Sequence, residues 1–139
     1  MHHIIYISRA SSQLTPMELI ALLLQARDKN ARENITGALV YGNGQFMQVI
    51  EGEEAALTTL YERILADSRH RDVFKLADKA ITERSFLNWS MAFREVSPGE
   101  FEDLVGYVSP AQWEQLSFGS NSADTLLLER MQELVHFAR

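Results

Sequence analysis

The sequence predicts an α+β fold in which two helices cover one face of a single mixed β-sheet. Short apolar runs rich in β-branched and aromatic residues alternate with amphipathic segments of helical period. A Gly-Asn-Gly turn joins two of these runs into a hairpin. The resulting order is β-α-β-β-α-β-β. With right-handed crossovers this order is the ferredoxin-like plan, and a C-terminal helical extension follows it.

The first half of the chain contains three predicted strands and one helix. Residues 3–9, HIIYISR, form the first strand. The helix has Thr15 as its N-cap, Pro16 at its first position and Glu18 to complete a capping box, and it ends near Asn30. The two hairpin strands are residues 35–41, ITGALVY, and residues 44–52, GQFMQVIEG.

The second half of the sheet follows a helix that begins near Glu53. The fourth strand is predicted over residues 73–82 and the fifth over residues 89–94. We expect strands one and three to be adjacent and parallel at the centre of the sheet. Strand five is expected to flank strand one on its other side.

The pattern becomes helical again after Pro98. The helices of the sheet domain leave Met47 and Val49 uncovered on the opposite face, and we expect the C-terminal extension to cover them. The prediction is therefore a domain over residues 1–96 and an extension over residues 97–139, packed on the sheet or in an oligomer interface. The extension is divided into helical candidates at 101–108 and 110–116, a loop at 117–124 and an amphipathic helix at 125–139.

The composition excludes several classes of function. The 139 residues include 13 basic and 19 acidic side chains, and the net charge of −6 argues against a nucleic-acid partner. The absence of cysteine excludes disulfides, thiolate nucleophiles and cysteine-ligated metals. We expect a cytoplasmic protein, because no apolar run reaches membrane-spanning length and the N-terminus lacks the layout of a signal peptide.

One polar residue stands out in the third strand. Gln48 lies between Phe46 and Ile50 on one face of a strand that we expect to be buried on both sides. A buried carboxamide without a partner costs about 1–3 kcal/mol. Tyr6, on the same face of the first strand, is the expected partner. The pair either satisfies itself within the core or lines a slot between the helices that holds a ligand.

Three further residues are candidates for the same slot. The amide of Asn30 offers a donor and an acceptor that complement a uracil-like imide edge, although asparagine is also typical of a helix C-cap. Trp89 and Met91 are predicted on one face of strand five, where they either join the slot or belong to the core.

In combination, these segments resemble the BLUF domain, a blue-light sensor that uses flavin. The likeness covers roughly residues 2 to 95 and includes the order of strands and helices. The segments that show this likeness are IIYIS with Tyr6, RDKNARENITGALVY with Asn30, GQFMQVIEGE with Gln48, and FLNWSM with Trp89 and Met91.

The resemblance implies a photoreceptor, not an enzyme, that binds FAD non-covalently with the isoalloxazine ring between the two helices. Asn30 would hold the imide edge of the ring, and Gln48 would bond near N5 and the C4 carbonyl. Tyr6 would donate to Gln48 and supply an electron and then a proton to the light-excited flavin. Gln48 would be left rotated or tautomerised beside a flavin that is again oxidised. Trp89 and Met91 are the expected photoactive neighbours.

Three charged or titratable residues are candidates for the ribityl or phosphate part of the cofactor, although each is also typical of a solvated surface. These residues are Lys29, Arg69 and His70. No other domain is visible in the sequence, so we expect the signal to pass through the C-terminal helices to a protein partner or within a homo-oligomer.

Two other classes of protein are compatible with this fold. An acylphosphatase-like enzyme of the same fold requires a phosphate-binding glycine-rich loop after strand one, and SRASSQLTP does not supply it. His70 and His136 have no partners at ligand spacing, so no metal site is predicted. A colourless ligand-sensing or interaction module is the remaining alternative.

Overall fold

The computed structural model describes residues 1–11, 14–87, 89–106 and 122–136. The strands are β1 (His2–Ala10), β2 (Thr36–Gly42), β3 (Gln45–Gly52), β4 (His70–Ala80) and β5 (Ala92–Glu95). The helices are α1 (Pro16–Arg32), α2 (Glu54–Ala66), α3 (Pro98–Gly106) and α4 (Ser122–His136). The predicted α+β, ferredoxin-like plan is confirmed. The helical candidate at 110–116 and most of the loop after it lie outside the described residues. No helix in the described ranges has both the length and the apolar character needed to span a bilayer.

The five strands form one sheet in the order β4-β1-β3-β2-β5. The prediction that β1 and β3 are parallel was wrong, because these strands are antiparallel. The crossover through α1 makes β2 run in the direction of β1, and the hairpin then reverses the chain into β3. The predicted place of β5 was also wrong. β4 pairs along the outer edge of β1, so β5 joins the sheet at β2 and runs parallel to it.

The helices α1 and α2 pack on one face of the sheet. Thr15 and Glu18 form the predicted capping box at the start of α1, with both hydrogen bonds 3.2 Å long. The helix continues two residues past Asn30. The helix-face core includes the buried side chains of Ile4, Leu19, Leu22, Leu39, Phe46, Ile50, Leu57 and Met91.

The opposite face is covered by α3 and α4. This tail-face core includes the buried side chains of Ile5, Val40, Met47, Val49, Phe86, Phe101, Leu104, Leu127 and Met131. Two side-chain hydrogen bonds reinforce the docking of α4. Arg94 of β5 donates to the carbonyl of Leu134 at 3.1 Å, and Gln132 donates to the carbonyl of Ser85 at 2.7 Å.

The prediction that Trp89 and Met91 share one face of strand five was wrong. Both residues precede β5, in a linking segment that comprises residues 84–87 and 89–91. Met91 is buried in the helix-face core, whereas Trp89 packs against the tail-face core with its ring 6.0 Å from that of Phe86. The segment is not a strand, so its side chains do not follow the alternation on which the prediction depended. Its backbone passes beside β2, where Gly37 N–H donates to the carbonyl of Trp89 at 3.1 Å.

Candidate functional site

A cleft opens between α1 and α2 above the centre of the sheet. Its floor is formed by Leu39 and Gln48. The residues on its walls recur at helical spacing, which brings one face of each helix to the opening. These residues are Leu22, Gln25, Ala26, Lys29 and Asn30 from α1, Leu60, Arg63 and Ile64 from α2, and Asp67, Arg69 and His70 after α2.

Tyr6 and Gln48 meet beneath this cleft. They are direct partners in the β1–β3 pairing, and their side chains are 0% and 7% exposed. The Tyr6 hydroxyl donates to Gln48 Oε1. Gln48 Nε2 in turn lies 3.4 Å from the sulfur of Met91. The amide therefore contacts a phenol at one end and a thioether at the other, so a half-turn of the amide would exchange its donor and acceptor between them.

Burial controls the protonation of Tyr6. Removal from water, reinforced by Tyr61 and Asp67, raises the pKa of the Tyr6 phenol far above its ordinary value. The ring of Tyr61 lies edge-on to that of Tyr6, with the centroids 5.9 Å apart. Tyr6 is therefore a neutral phenol with its proton held in the hydrogen bond to Gln48.

Asn30 lies on the α1 wall of the cleft, and its side chain is 2% exposed. It is not the helix C-cap, a position that Glu33 occupies. Its Nδ2 donates to the carbonyl of Ser90 at 2.9 Å. One turn earlier, Arg27 Nε donates to the carbonyl of Met91 at 3.0 Å. Side chains of α1 thus hold the backbone that carries the thioether beside Gln48.

The cleft is electropositive although the whole chain is acidic. Its lining includes three cationic side chains, Lys29, Arg63 and Arg69, against the single carboxylate of Asp67. Arg69 is paired with Asp67, with Nη2 and Oδ2 2.6 Å apart. The hydrogen bonds from Arg69 lower the pKa of Asp67 to about 2, so this pair is ionised at neutral pH.

His70 lines the cleft beside the aromatic residues of the helix-face core. Its Nδ1 lies 2.8 Å from the Ser8 hydroxyl, and its ring centroid is 4.8 Å from that of Phe46. Burial lowers the pKa of His70, which outweighs the opposing effect of Asp67. The imidazole is therefore neutral at pH 7.

Within the described ranges, no three His, Cys, Asp or Glu side chains come together as a metal site.

Every sequence-predicted site residue except Tyr6, Trp89 and Met91 lines the cleft itself, and Tyr6 and Met91 contact Gln48 beneath it. Trp89 lies apart from them, in contact with the tail-face core. Sequence reasoning missed Gln25 and Arg63. For Gln25 the signal was available, because it lies one turn before Lys29 on the same face of α1. For Arg63 no such signal existed, because none of the predicted site residues lies on α2.

Comparison with protein families shows which family the chain belongs to. A sequence model of BLUF, described as sensors of blue-light using FAD, matches residues 1–92. The chain belongs to the BLUF family. FAD is thus the cofactor, and the description favours a flavoprotein over the colourless module considered above.

Individual relatives agree with the BLUF assignment. The photoactivated adenylate cyclase subunit beta of Euglena longa is 38% identical over 87 residues, which are 62% of this chain and 10% of that protein. The chain therefore spans about a tenth of that curated relative. The dark-state structure of the BLUF protein BlrB is 29% identical with a TM-score of 0.71, and 95% of each chain is covered. Photo-activated BlsA, at 24% identity, shares the fold with a TM-score of 0.74 over 94% of this chain and 93% of that one.

The cleft fits the chemistry of FAD. Leu22, Leu39 and Ile64 give it apolar walls suited to a planar ring. The amides of Asn30 and Gln48 offer the donors and acceptors that an imide edge requires. The net positive lining is complementary to the two phosphates of FAD.

Proposed function

We propose that this BLUF chain is a blue-light photoreceptor in which Tyr6 and Gln48 form the light-driven switch and the C-terminal helices carry the signal to a protein partner or a second copy. The observation that carries the proposal is the continuous contact from the Tyr6 phenol through the Gln48 amide to the Met91 thioether. These three groups connect the floor of the cleft with the segment that leads to β5.

The cofactor would be held by the residues that line the cleft. Asn30 and Gln48 would bond the imide edge of the ring, and Lys29, Arg63 and Arg69 would face the phosphates. When bound, FAD supplies the absorption of blue light and, once excited, the capacity to accept an electron.

Tyr6 would supply that electron and, because an oxidised phenol is strongly acidic, its proton would follow to the cofactor. The proton would leave Tyr6 along the hydrogen bond to Gln48 Oε1, and the amide would pass a proton on to the cofactor in exchange. The return of electron and proton restores the neutral phenol that burial favours. Tyr6 is thus unchanged at the end, and the amide through which the proton moved is the group that stays altered.

Rotation or tautomerisation of Gln48 changes what Met91 contacts. In the structure Nε2 lies 3.4 Å from the thioether sulfur. A rotated amide presents its oxygen, and two lone-pair-bearing atoms at that distance repel. Met91 must then shift, and the linking segment shifts with it. This local change is of the kind that biases a two-state element elsewhere in a protein.

An absorption spectrum in the dark and after blue light tests the proposal. The purified protein should contain oxidised flavin, and light should shift its absorption to the red without bleaching, with recovery in the dark. Tyr6→Phe and Gln48→Leu should bind flavin but lose the red shift. Tyr41→Phe is the matched control, since it removes the hydroxyl of another tyrosine that is 6% exposed and should keep the shift.

Two results would refute this reading. A colourless protein that also fails to bind added FAD would end the photoreceptor proposal. A normal photocycle in Tyr6→Phe or Gln48→Leu would end the role proposed for that residue.

Signal output is tested by hydrogen exchange in the dark and in the light. We expect amide protection to change in β5 and in residues 126–135, because Arg94 and Gln132 tie α4 to β5 and to the linking segment. Unchanged exchange in α4 together with an unchanged oligomer size would place the output elsewhere.

A further inference from the structure

Glu51 is a fully buried carboxylate to which the switch described above assigns no part. It lies on β3 three residues after Gln48, on the opposite face of the sheet, and is 0% exposed. Burial of a charged group is strongly unfavourable unless hydrogen bonds and nearby charge compensate it. Hydrogen-bond donors and nearby positive charge must therefore surround Glu51.

Three donors converge on the Glu51 carboxylate. The backbone N–H groups of Ser85 and Phe86 donate to Oε2 and Oε1, each at 2.8 Å, and the Thr36 hydroxyl donates to Oε1 at 2.9 Å. Arg84 brings a positive charge to the same cluster, donating to Thr36 Oγ1 at 2.8 Å and to the Glu51 carbonyl at 3.1 Å. The start of the linking segment is thus fixed to β3 by charge-assisted hydrogen bonds.

The other end of the linking segment reaches the switch. The carbonyls of Ser90 and Met91 are held by Asn30 and Arg27 of α1, and the Met91 sulfur faces the Gln48 amide. Between these ends the segment passes from the tail-face core to the helix-face core.

Ser85 joins this segment to α4. Its N–H donates to Glu51, while its carbonyl accepts from Gln132 of α4 at 2.7 Å. The same peptide backbone is therefore held by the sheet from one side and by the tail helix from the other. A change in the hydrogen bond between Glu51 and the Ser85 N–H must therefore change the position of the Ser85 carbonyl that Gln132 contacts.

We propose that Glu51 is a positioning residue that holds the linking segment between two contacts, Met91 with Gln48 and Ser85 with Gln132. Its part in signalling rests on the proposed function of Tyr6 and Gln48. Glu51 anchors the start of the linking segment, so this end cannot slide when Met91 is displaced. The displacement is therefore transmitted to the Ser85 carbonyl, which binds Gln132 of α4.

Glu51→Gln in the FAD-bound full chain tests this proposal. A carboxylate only accepts hydrogen bonds. The NH₂ group of the new glutamine is itself a donor, and it must face one of the donors that converge on position 51. The orientation that keeps the two bonds to Oε1 leaves Ser85 N–H without an acceptor. Hydrogen exchange of the Ser85 N–H should accelerate about tenfold or more, the factor expected when a buried donor loses its partner.

Two readouts separate positioning from a merely structural role. The chain has five methionines, so ¹³C-methyl labelling gives a simple spectrum. In the dark, Glu51→Gln should move the Met91 methyl signal and leave that of Met17, which is 81% exposed on α1. It should also raise hydrogen exchange in α4 and alter the rate of dark recovery after blue light.

Glu100→Gln is the matched control. Glu100 accepts the backbone N–H of Ser97 at 3.1 Å before α3, outside the linking segment. This variant should keep the Met91 signal, the exchange of α4 and the recovery rate. Should Glu51→Gln not fold, Thr36→Val removes one donor to Glu51 and should change the same readouts in the same direction.

The proposal is overturned if Glu51→Gln, or Thr36→Val in its place, loosens Ser85 but leaves the Met91 signal, α4 exchange and dark recovery at wild-type values. Failure of the proposed function has a different signature, namely a wild-type protein without a red shift. The Met91 signal and α4 exchange in the dark still decide the positioning role in that case.

Discussion

The hydrogen bond between Tyr6 and Gln48 predicts a coupling that is measurable without light. The perturbations are Tyr6→Phe, Gln48→Leu and the double variant. Each single change removes one partner of a bond whose two side chains are at most 7% exposed. The other partner is left buried without its bond, which costs about 1–3 kcal/mol.

The double variant removes both polar groups at once. Since no unpaired group remains, the two changes together should destabilise the protein by less than the sum of the single changes. The expected coupling free energy is about 1–3 kcal/mol, within the range found for residues in contact.

Urea unfolding in the dark measures this coupling. All four proteins are compared at one FAD concentration, and the Kd of each is measured so that the stabilisation by bound cofactor can be subtracted. A second cycle that pairs Tyr41→Phe with Gln48→Leu serves as the control, and its effects should add to within about 0.5 kcal/mol. Additive effects of Tyr6→Phe and Gln48→Leu would refute the contact on which the proposed switch depends.

Three further predictions concern the cleft and the tail. Replacing Lys29 and Arg63 with alanine should weaken the binding of FAD and reduce its salt dependence, but should leave the binding of riboflavin, which lacks phosphate, unchanged in a fluorescence titration. The lowered pKa of His70 means that the unfolded chain binds more protons below about pH 6.5. The free energy of unfolding should therefore decrease as the pH falls from 7 through that value, and His70→Gln should show a smaller decrease in urea titrations at several pH values. Leu127→Ala should lower the free energy of unfolding by about 2–5 kcal/mol, because Leu127 is fully buried against the sheet. Leu126→Ala, at a neighbouring residue that is 51% exposed, should change it by less than about 0.5 kcal/mol in the same assay.

The sequence was sufficient to predict the elements and the centre of the site. Strand alternation placed Tyr6 and Gln48 on one face, between the helices. The position of Asn30 at the end of the first helix placed it near them, and Lys29 was a candidate for the phosphate part of the cofactor only through the family resemblance. The direction of β3 relative to β1 was also deducible. A hairpin must reverse the chain, so the parallel prediction overlooked a constraint that the predicted turn already contained.

The linking segment could not be predicted in this way. It has neither the period of a strand nor that of a helix, so nothing in the order of its residues places Trp89 and Met91 on different faces. Its path is set by bonds from distant residues, including the Glu51 carboxylate and the Arg27 guanidinium. The role of Glu51 could not be predicted for the same reason, because two of its three hydrogen-bond donors are backbone groups that any residue type would provide.

The direct pairing of Tyr6 with Gln48 across β1 and β3 limits where the sequence of a protein with this switch can gain or lose residues. Successive residues of a strand face opposite sides, so one residue inserted between Gln45 and Gln48 would turn the amide toward the tail-face core and away from the cleft. The residue types of the switch would all be present and the light response absent. Insertions and deletions are therefore expected to be tolerated in the connections outside the sheet, such as the one between β1 and α1, while the lengths of β1 and β3 stay fixed.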